Sequence, residues 1–377
     1  MRLELESRKQ NMTKINYAGP DISTDDADFV RDAVLNGYYE NYRKHAQLLE
    51  NRLCEYLNVK HAYVTNSCTA AIHLALASID LDKDDEVITT DSSCVASAMP
   101  ILYSQSKAVF VDVKKDDWNL DPKLIESQIT ERTKAIIAVH WNGHPCAIDQ
   151  IVEIARRYDL KVIEDAAPAL GAEFAGKKVG TIGDLGCFSF QGAKIAIGGQ
   201  GGAIVTNDSS LYEKIMCLAS YGRTDSKMQY WSDHVGWNYS MPNLPAALAY
   251  SQMSRMDELL TKKRAIFEIY LENLKDSKFC RVIEPALNTK STYCYPSCEI
   301  TEEASISRKD LLMKLNELNI DARPAQPRIS RMPMFSATSA SPNSKYLEEN
   351  GFILPGAFNL AKEDVVFVCN ALKRFLK

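Results

Sequence analysis

FSFQGAKIAIGGQGGAIVTND, residues 188–208, reads as the end of an apolar strand, a turn with one lysine, a glycine-rich bend and a second apolar strand. Lys194 stands between Gly192-Ala193 and Ile195-Ala196-Ile197, and Gly198, Gly199, Gly201 and Gly202 surround Gln200. No acidic residue lies near Lys194 in the sequence to pair with its amine. A free lysine is almost wholly protonated at neutral pH and becomes chemically useful when held as an imine or desolvated. The segment by itself leaves two readings open, a surface turn lysine and a reactive one.

Upstream, short β-branched runs alternate with helical patterns. EVITT (86–90), AVFVDV (108–113), AIIAVH (135–140) and KVIEDA (161–166) read as strands. TAAIHLALASI (69–79) has the spacing of a buried helix, and AIDQIVEIARRYDL (147–160) sets Ile148, Ile151, Ile154 and Ala155 on one face. This rhythm predicts an α/β fold with a mostly parallel sheet covered by helices. Ligands in such folds sit at the carboxyl ends of the strands. After about residue 250 the pattern changes to a long helical stretch (244–274), a strand-like STYCYPSCEI and two further helices. The predicted organisation is a lead over 1–14, disordered or packed on a partner subunit, a large domain over 15–255 and a smaller α+β domain over 256–377.

The 377 residues are 46% hydrophobic and 25% charged, with a net charge of -5. That balance fits a globular protein and argues against a nucleic-acid binder, which needs a basic face. No apolar run approaches the ~20 residues of a membrane span. The first residues, MRLELESRKQNM, lack a signal-peptide apolar core. Ten cysteines are scattered without a C-x-x-C pair, which suits reduced thiols in the cytoplasm. Cys294 and Cys298 are the nearest pair, too sparse a set for zinc. His140 and His144 are four apart, but Gly143 and Pro145 argue against a helix that would join them on a metal. No metal site is expected, and His140 is read as lining the ligand site.

Two segments raise the standing of Lys194. In VIEDAAPALGA (162–172) a strand ends at Glu164-Asp165. A carboxylate there faces the crevice and can hold a pyridine nitrogen protonated, although Asp165 also suits an N-cap. In VTNSCTAAIHLAL (64–76) a strand stops at Asn66-Ser67-Cys68-Thr69 and a small-residue helix begins. The free N–H groups of such a helix start, with the Thr69 hydroxyl, make a phosphate seat.

Together the three segments resemble the DegT/DnrJ/EryC1/StrS sugar aminotransferases, enzymes of fold-type I pyridoxal phosphate architecture. The resemblance runs from about Ile15 to the C-terminus. It rests on Ser189-Phe190-Gln191-Gly192-Ala193-Lys194, on Glu164 to Ala167 and on Ser67-Cys68-Thr69. HWNGHPCAID (140–149) and GWNYSMPNLPAALA (236–249) also match. So do DARPAQP (321–327) and GFILPGAFNL (351–360), and the later segments are most like the GDP-perosamine synthase branch. The resemblance implies pyridoxal 5'-phosphate held as an aldimine on Lys194, with Asp165 on its ring nitrogen. It implies Ser67, Cys68, Thr69 and Ser189 at the phosphate, joined by Asn243 from a neighbouring subunit of a homodimer. The implied reaction moves an amino group from L-glutamate, released as 2-oxoglutarate, to a nucleotide-linked keto-deoxysugar, with C4 suggested by the branch. Lys194 is then the proton carrier, and the kinetics are ping-pong.

Four positions depart from the family's pattern. Cys94 stands where an aromatic ring stacks on the cofactor, Pro168 where Gln or Glu reaches its hydroxyl, Gln200 for a glutamate and Cys68 for a glycine. Arg223, Lys227 and Arg323 are the candidate cations for the nucleotide, and Trp231 and Trp237 could flank the pocket or simply pack. A related sugar dehydratase would carry histidine in place of the lysine, which Lys194 opposes. A non-catalytic, ligand-binding relative is the third reading, kept open by Cys94, Pro168 and Gln200.

Overall fold

The computed structural model describes residues 14–224, 228–335 and 340–377. The predicted lead, apart from Lys14, and the candidate Lys227 lie outside the described residues.

Seven strands form the central sheet: β1 His61–Thr65, β2 Glu86–Thr90, β3 Lys107–Val111, β4 Thr133–Val139, β5 Lys161–Asp165, β6 Leu185–Ser189 and β7 Gly202–Thr206. Their spatial order is β1-β7-β6-β5-β4-β2-β3. The run from β6 to β3 is parallel, and β7 lies antiparallel to both neighbours. The expected α/β architecture with a mostly parallel seven-stranded sheet is therefore present.

The strands are apolar on both faces because both faces are covered. Val87, Ala135, Ile137 and Ile163 pack on one side with the helix Cys68–Ser78, while Ile88, Ile136, Ala138 and Val162 pack on the other. On that second side sits the helix Ile148–Arg157, which buries Ile148, Ile151, Ile154 and Ala155, the face its spacing predicts.

Residues after 279 build a four-stranded antiparallel sheet from Cys280–Val282, Ser297–Ile300, Gly351–Ile353 and Arg323–Pro324. The long helix Met256–Leu274 and the helices Arg308–Asn316 and Lys362–Phe375 share one apolar cluster with it, including Phe267, Tyr270, Leu311, Phe352 and Val368. Ile15 belongs to this cluster too. Its backbone pairs with Asn319 and Asp321, so the described chain starts within the C-terminal body rather than at the edge of the large one.

Candidate active site

The carboxyl ends of β1, β5 and β6 converge. β1 leads to Ser67 and the helix Cys68–Ser78, β5 ends at Asp165, and β6 ends at Ser189. Ser189 and Gly202 are register partners, so the segment between them leaves and re-enters the sheet at one point. It is drawn tight by Gly198 N–H to Phe190 O at 2.7 Å and Gly192 N–H to Gly199 O at 3.1 Å. Gly201 has φ +136°, which favours glycine, and a Cβ on Gly202 would lie 2.5 Å from the Cys68 nitrogen. These glycines let the returning strand press against the helix start.

Asp165 is buried. Its Oδ2 accepts from the Ser97 hydroxyl at 2.6 Å, and its Oδ1 accepts from Ala167 N–H at 3.1 Å. The Cys68 thiol lies 4.0 Å from the same Oδ1. Burial pushes the Cys68 thiol well above its ordinary range, Asp165 and Cys187 push it further, and Lys194 pulls it back. Cys68 therefore feels both the candidate acid and the candidate amine.

Ser67 caps the helix by accepting from Ala70 N–H at 3.1 Å. Thr69, half-buried in the first turn, has no side-chain hydrogen bond among the described residues. Ser189 accepts from Gln191 N–H at 3.3 Å and keeps its own hydroxyl proton to donate. A helix start with a free hydroxyl beside it suits an anion.

Lys194 is half-buried and makes no ion pair among the described residues; its Nζ lies 5.2 Å from the centroid of the Tyr295 ring. Tyr295 stacks on Tyr17 at 5.2 Å and 8°, and Arg323 covers the Tyr17 ring at 5.2 Å while pairing with Asp321. Burial, then the neighbouring Tyr295 and Cys294, raise the Tyr17 phenol far above its ordinary range, so it stays a neutral donor. Of these residues the sequence singled out Arg323, as a candidate for the nucleotide, and not Tyr17, Tyr295 or Ser97. Ser97 had a faint signal, a hydroxyl just after the strand-end TTDSSC; the tyrosines had none.

His140 needs correction as a substrate contact. It is fully buried, its Nδ1 accepts from Cys146 N–H at 3.2 Å and its Nε2 faces Glu164 Oε2 at 2.9 Å. An acceptor at Nδ1 means a neutral ring with its proton on Nε2. No ring nitrogen is left for substrate. Glu164 also accepts from the N–H groups of Gly180, Ile182 and Gly183 at 2.7, 2.6 and 2.6 Å. This buried carboxylate pins the 180–183 turn behind β5. We predict that Glu164→Gln, which turns an amide NH2 toward donors and leaves one of them unpaired, costs about 1–3 kcal/mol of stability. Chemical denaturation measures it, and a loss below ~1 kcal/mol would contradict this account. His144 is fully buried as well, and burial lowers its pKa to about 4, so it is neutral.

Asn243 is held within its own chain. Its Oδ1 accepts from His45 N–H at 3.0 Å, and its Nδ2 donates to Gly37 O at 2.8 Å and Asn41 O at 2.7 Å. Both amide protons go to carbonyls of its own chain and pin the 37–45 segment. Its five-residue neighbour Asn238 is exposed and lines a cavity of about 530 Å³ with Tyr38, Tyr42 and Arg43. Arg223 is exposed over its own neighbour Tyr221, next to Ser220 on the rim of that cavity, and is not brought to Lys194. Pro168 is buried, with its carbonyl accepting from Thr292 Oγ1 at 2.7 Å. Cys94 is exposed at the start of the 95–97 turn. Trp237 packs on His73 at 4.4 Å, while Trp231 is exposed.

The family model for the DegT/DnrJ/EryC1/StrS aminotransferase family matches residues 20–373. The chain belongs to this family. It is 33% identical to the GDP-perosamine synthase of Escherichia coli O157:H7 over 94% of this chain and 97% of that one. It is 35% identical to the GDP-perosamine synthase of Caulobacter vibrioides over 97% of this chain and 99% of that one. A UDP-4-amino-4,6-dideoxy-N-acetyl-beta-L-altrosamine transaminase of Campylobacter jejuni is 33% identical over 75% of this chain and 76% of that one. Among solved structures, Helicobacter pylori PseC, an aminotransferase of pseudoaminic acid biosynthesis, superposes with a TM-score of 0.91 at 28% identity, covering 97% and 99% of the two chains.

Proposed function

We propose that this protein is a pyridoxal-phosphate-dependent aminotransferase that passes an amino group from L-glutamate to a nucleotide-linked 4-keto-6-deoxysugar. The observation that carries the reading is that the segment bearing the unpaired Lys194 returns to the sheet at Gly202, against the Cys68 nitrogen, while the buried Asp165 lies 4.0 Å from the Cys68 thiol at the start of the same capped helix. The residues present fit pyridoxal 5'-phosphate. Lys194 would hold its aldehyde carbon, Asp165 its ring nitrogen, and the Ser67–Thr69 turn with Ser189 its phosphate. Bound there, the cofactor supplies an electron sink beside the α-carbon of the amino donor.

The rest belongs to the chain's own groups. Lys194 takes the proton that the α-carbon of glutamate loses, and in the second half of the reaction delivers the proton that the sugar's carbonyl carbon gains as it takes the amine. Asp165 keeps a positive charge opposite it in a water-poor site. Ser97 holds that carboxylate through its hydroxyl. The stacked Tyr17 and Tyr295 shield one side of the amine from solvent, and Arg323 offers a cation at the rim for the nucleotide's phosphates. The relatives' names support the nucleotide sugar, and the Campylobacter transaminase supports position 4.

We infer a homodimer through the face that carries Tyr38, Tyr39 and Tyr42. Tyr39 is 89% exposed there, beside the cavity that Asn238 and Arg43 line, an unusual outlay of aromatic surface for a monomer. The ten free cysteines support a reducing compartment, the cytoplasm.

The test has two parts. Borohydride fixation of pyridoxal phosphate should label a single peptide, at Lys194. GDP- and UDP-linked 4-keto-6-deoxyhexoses should then be aminated with glutamate as donor. Label elsewhere would refute the site, and a labelled protein inactive across the panel would favour the non-catalytic reading.

A further inference from the structure

Lys263 lies in the second turn of the helix Met256–Leu274 and is only 1% exposed. No carboxylate pairs with it among the described residues. Its Nζ donates to the carbonyls of Cys294, at 3.4 Å, and Gly356, and sits 4.5 Å from the centroid of the Phe358 ring. An ammonium buried without a counter-ion is costly, and a methionine of similar volume would avoid that cost. Burial lowers the lysine's pKa to about 8.

The two carbonyls belong to the segments that frame Lys194. Cys294 precedes Tyr295, and its thiol lies 3.9 Å from the carbonyl of Ala193, next to the amine-bearing residue. Gly356 N–H donates to Tyr17 O at 2.8 Å, and Tyr17 stacks on Tyr295. Two turns further along the helix, Tyr270 donates to Pro355 O at 2.9 Å. One helix thus gathers the loop that carries Tyr295, the ring beneath the Lys194 amine, and the loop that holds the backbone of Tyr17, stacked on Tyr295.

We propose that Lys263 is a positioning residue: by holding the carbonyls of Cys294 and Gly356 together it sets the Tyr17–Tyr295 pair against which the Lys194 amine is placed. The inference rests on the aminotransferase reading only for the use made of that amine.

The test compares Lys263→Met, Lys263→Gln, Tyr295→Leu and the Lys263→Met/Tyr295→Leu double variant. The first readout is the rate at which borohydride fixes pyridoxal phosphate on Lys194. Lys263→Met and Tyr295→Leu should each slow it about ten-fold, Lys263→Gln less, and the double variant no more than the worse single. A wild-type rate in Lys263→Met, or single effects that multiply in the double, would overturn the proposal. If Lys263→Met does not fold, Lys263→Gln carries the comparison, again judged against Tyr295→Leu. The second readout is amide hydrogen exchange, which should quicken at 17–19 and 294–297 in Lys263→Met and stay unchanged around β4 and β5. Unchanged exchange at those segments would also overturn the proposal. Should wild type take no label at Lys194, the aminotransferase reading fails, and the exchange readout still judges Lys263.

A third readout is the pH dependence of stability. Lys263 binds its proton less tightly folded, near 8, than at its ordinary value of 10.5. Between those values the unfolded chain holds more proton, so wild-type stability rises with pH. The folding constant of wild type relative to Lys263→Met should grow about ten-fold from pH 7 to pH 9. A flat ratio would mean that the ammonium is not buried, and the proposal would fall.

Discussion

Lys194→Ala should lose at least ~10⁴-fold in turnover with glutamate and a nucleotide keto sugar, the upper end of what a positioned general base contributes. The geometry leaves no substitute. The buried amine of Lys263 is already held by the carbonyls of Cys294 and Gly356. Lys194→Arg should fail as badly, because a guanidinium stays protonated and cannot accept the α-proton. The fold should not notice either change. Lys194 forms no ion pair among the described residues, and its single ring contact is worth only ~0.5–1 kcal/mol at a partly exposed site. A large activity loss with an unfolding midpoint within a few degrees is therefore the expected pair of results. A Lys194→Ala protein that keeps a tenth of its turnover would remove the lysine from the chemistry. One that unfolds would make the residue structural.

The sequence showed the sheet because strands covered on both faces are written as unbroken apolar runs, as in AIIAV over β4. It showed the amphipathic helix because Ile148, Ile151 and Ile154 recur at the helical period. Ser67, Asp165 and Ser189 were legible as strand-end positions, where a chain running out of a parallel sheet must face the crevice. The same rule misplaced His140, also at a strand end. What it faces depends on where Glu164 and the Cys146 N–H lie, and only the folded backbone brings them to its two ring nitrogens. The setting of Asn243 was out of reach for a similar reason. Its amide is claimed by Gly37, Asn41 and His45, some two hundred residues away in sequence. Lys263, inside LTKKRA, reads as one of a run of surface charges. Its burial is decided by how its helix packs on the 294 and 356 loops. Tyr17 and Tyr295 meet only because Ile15 and the Ser297–Ile300 strand share the C-terminal core.

Asp165→Asn should cost ~10²–10³-fold in turnover and weaken pyridoxal phosphate retention, for two separable reasons. The first is charge. An anion at close range moves the pKa of a partner by ~1–3 units, each unit a ten-fold change in the protonated fraction. Removing the anion lets a pyridine nitrogen lose its proton near neutral pH, and the electron sink weakens with it. The second is hydrogen bonding. Asp165 accepts from Ser97 on one oxygen and from Ala167 N–H on the other. An asparagine must turn its NH2 toward one of these donors, and the Ala167 N–H cannot reverse its role. The Ser97 hydroxyl can rotate and accept instead, so the amide nitrogen should settle there. Ser97→Ala isolates this second effect. It leaves the carboxylate charged and removes one neutral donor, so turnover should fall only a few-fold and the cofactor should stay bound. Absorbance of the bound cofactor against pH separates the cases. Asp165→Asn should shift its titration to lower pH, whereas Ser97→Ala should leave it near wild type. Equal shifts in both variants would mean that the serine, not the carboxylate's charge, governs the ring nitrogen.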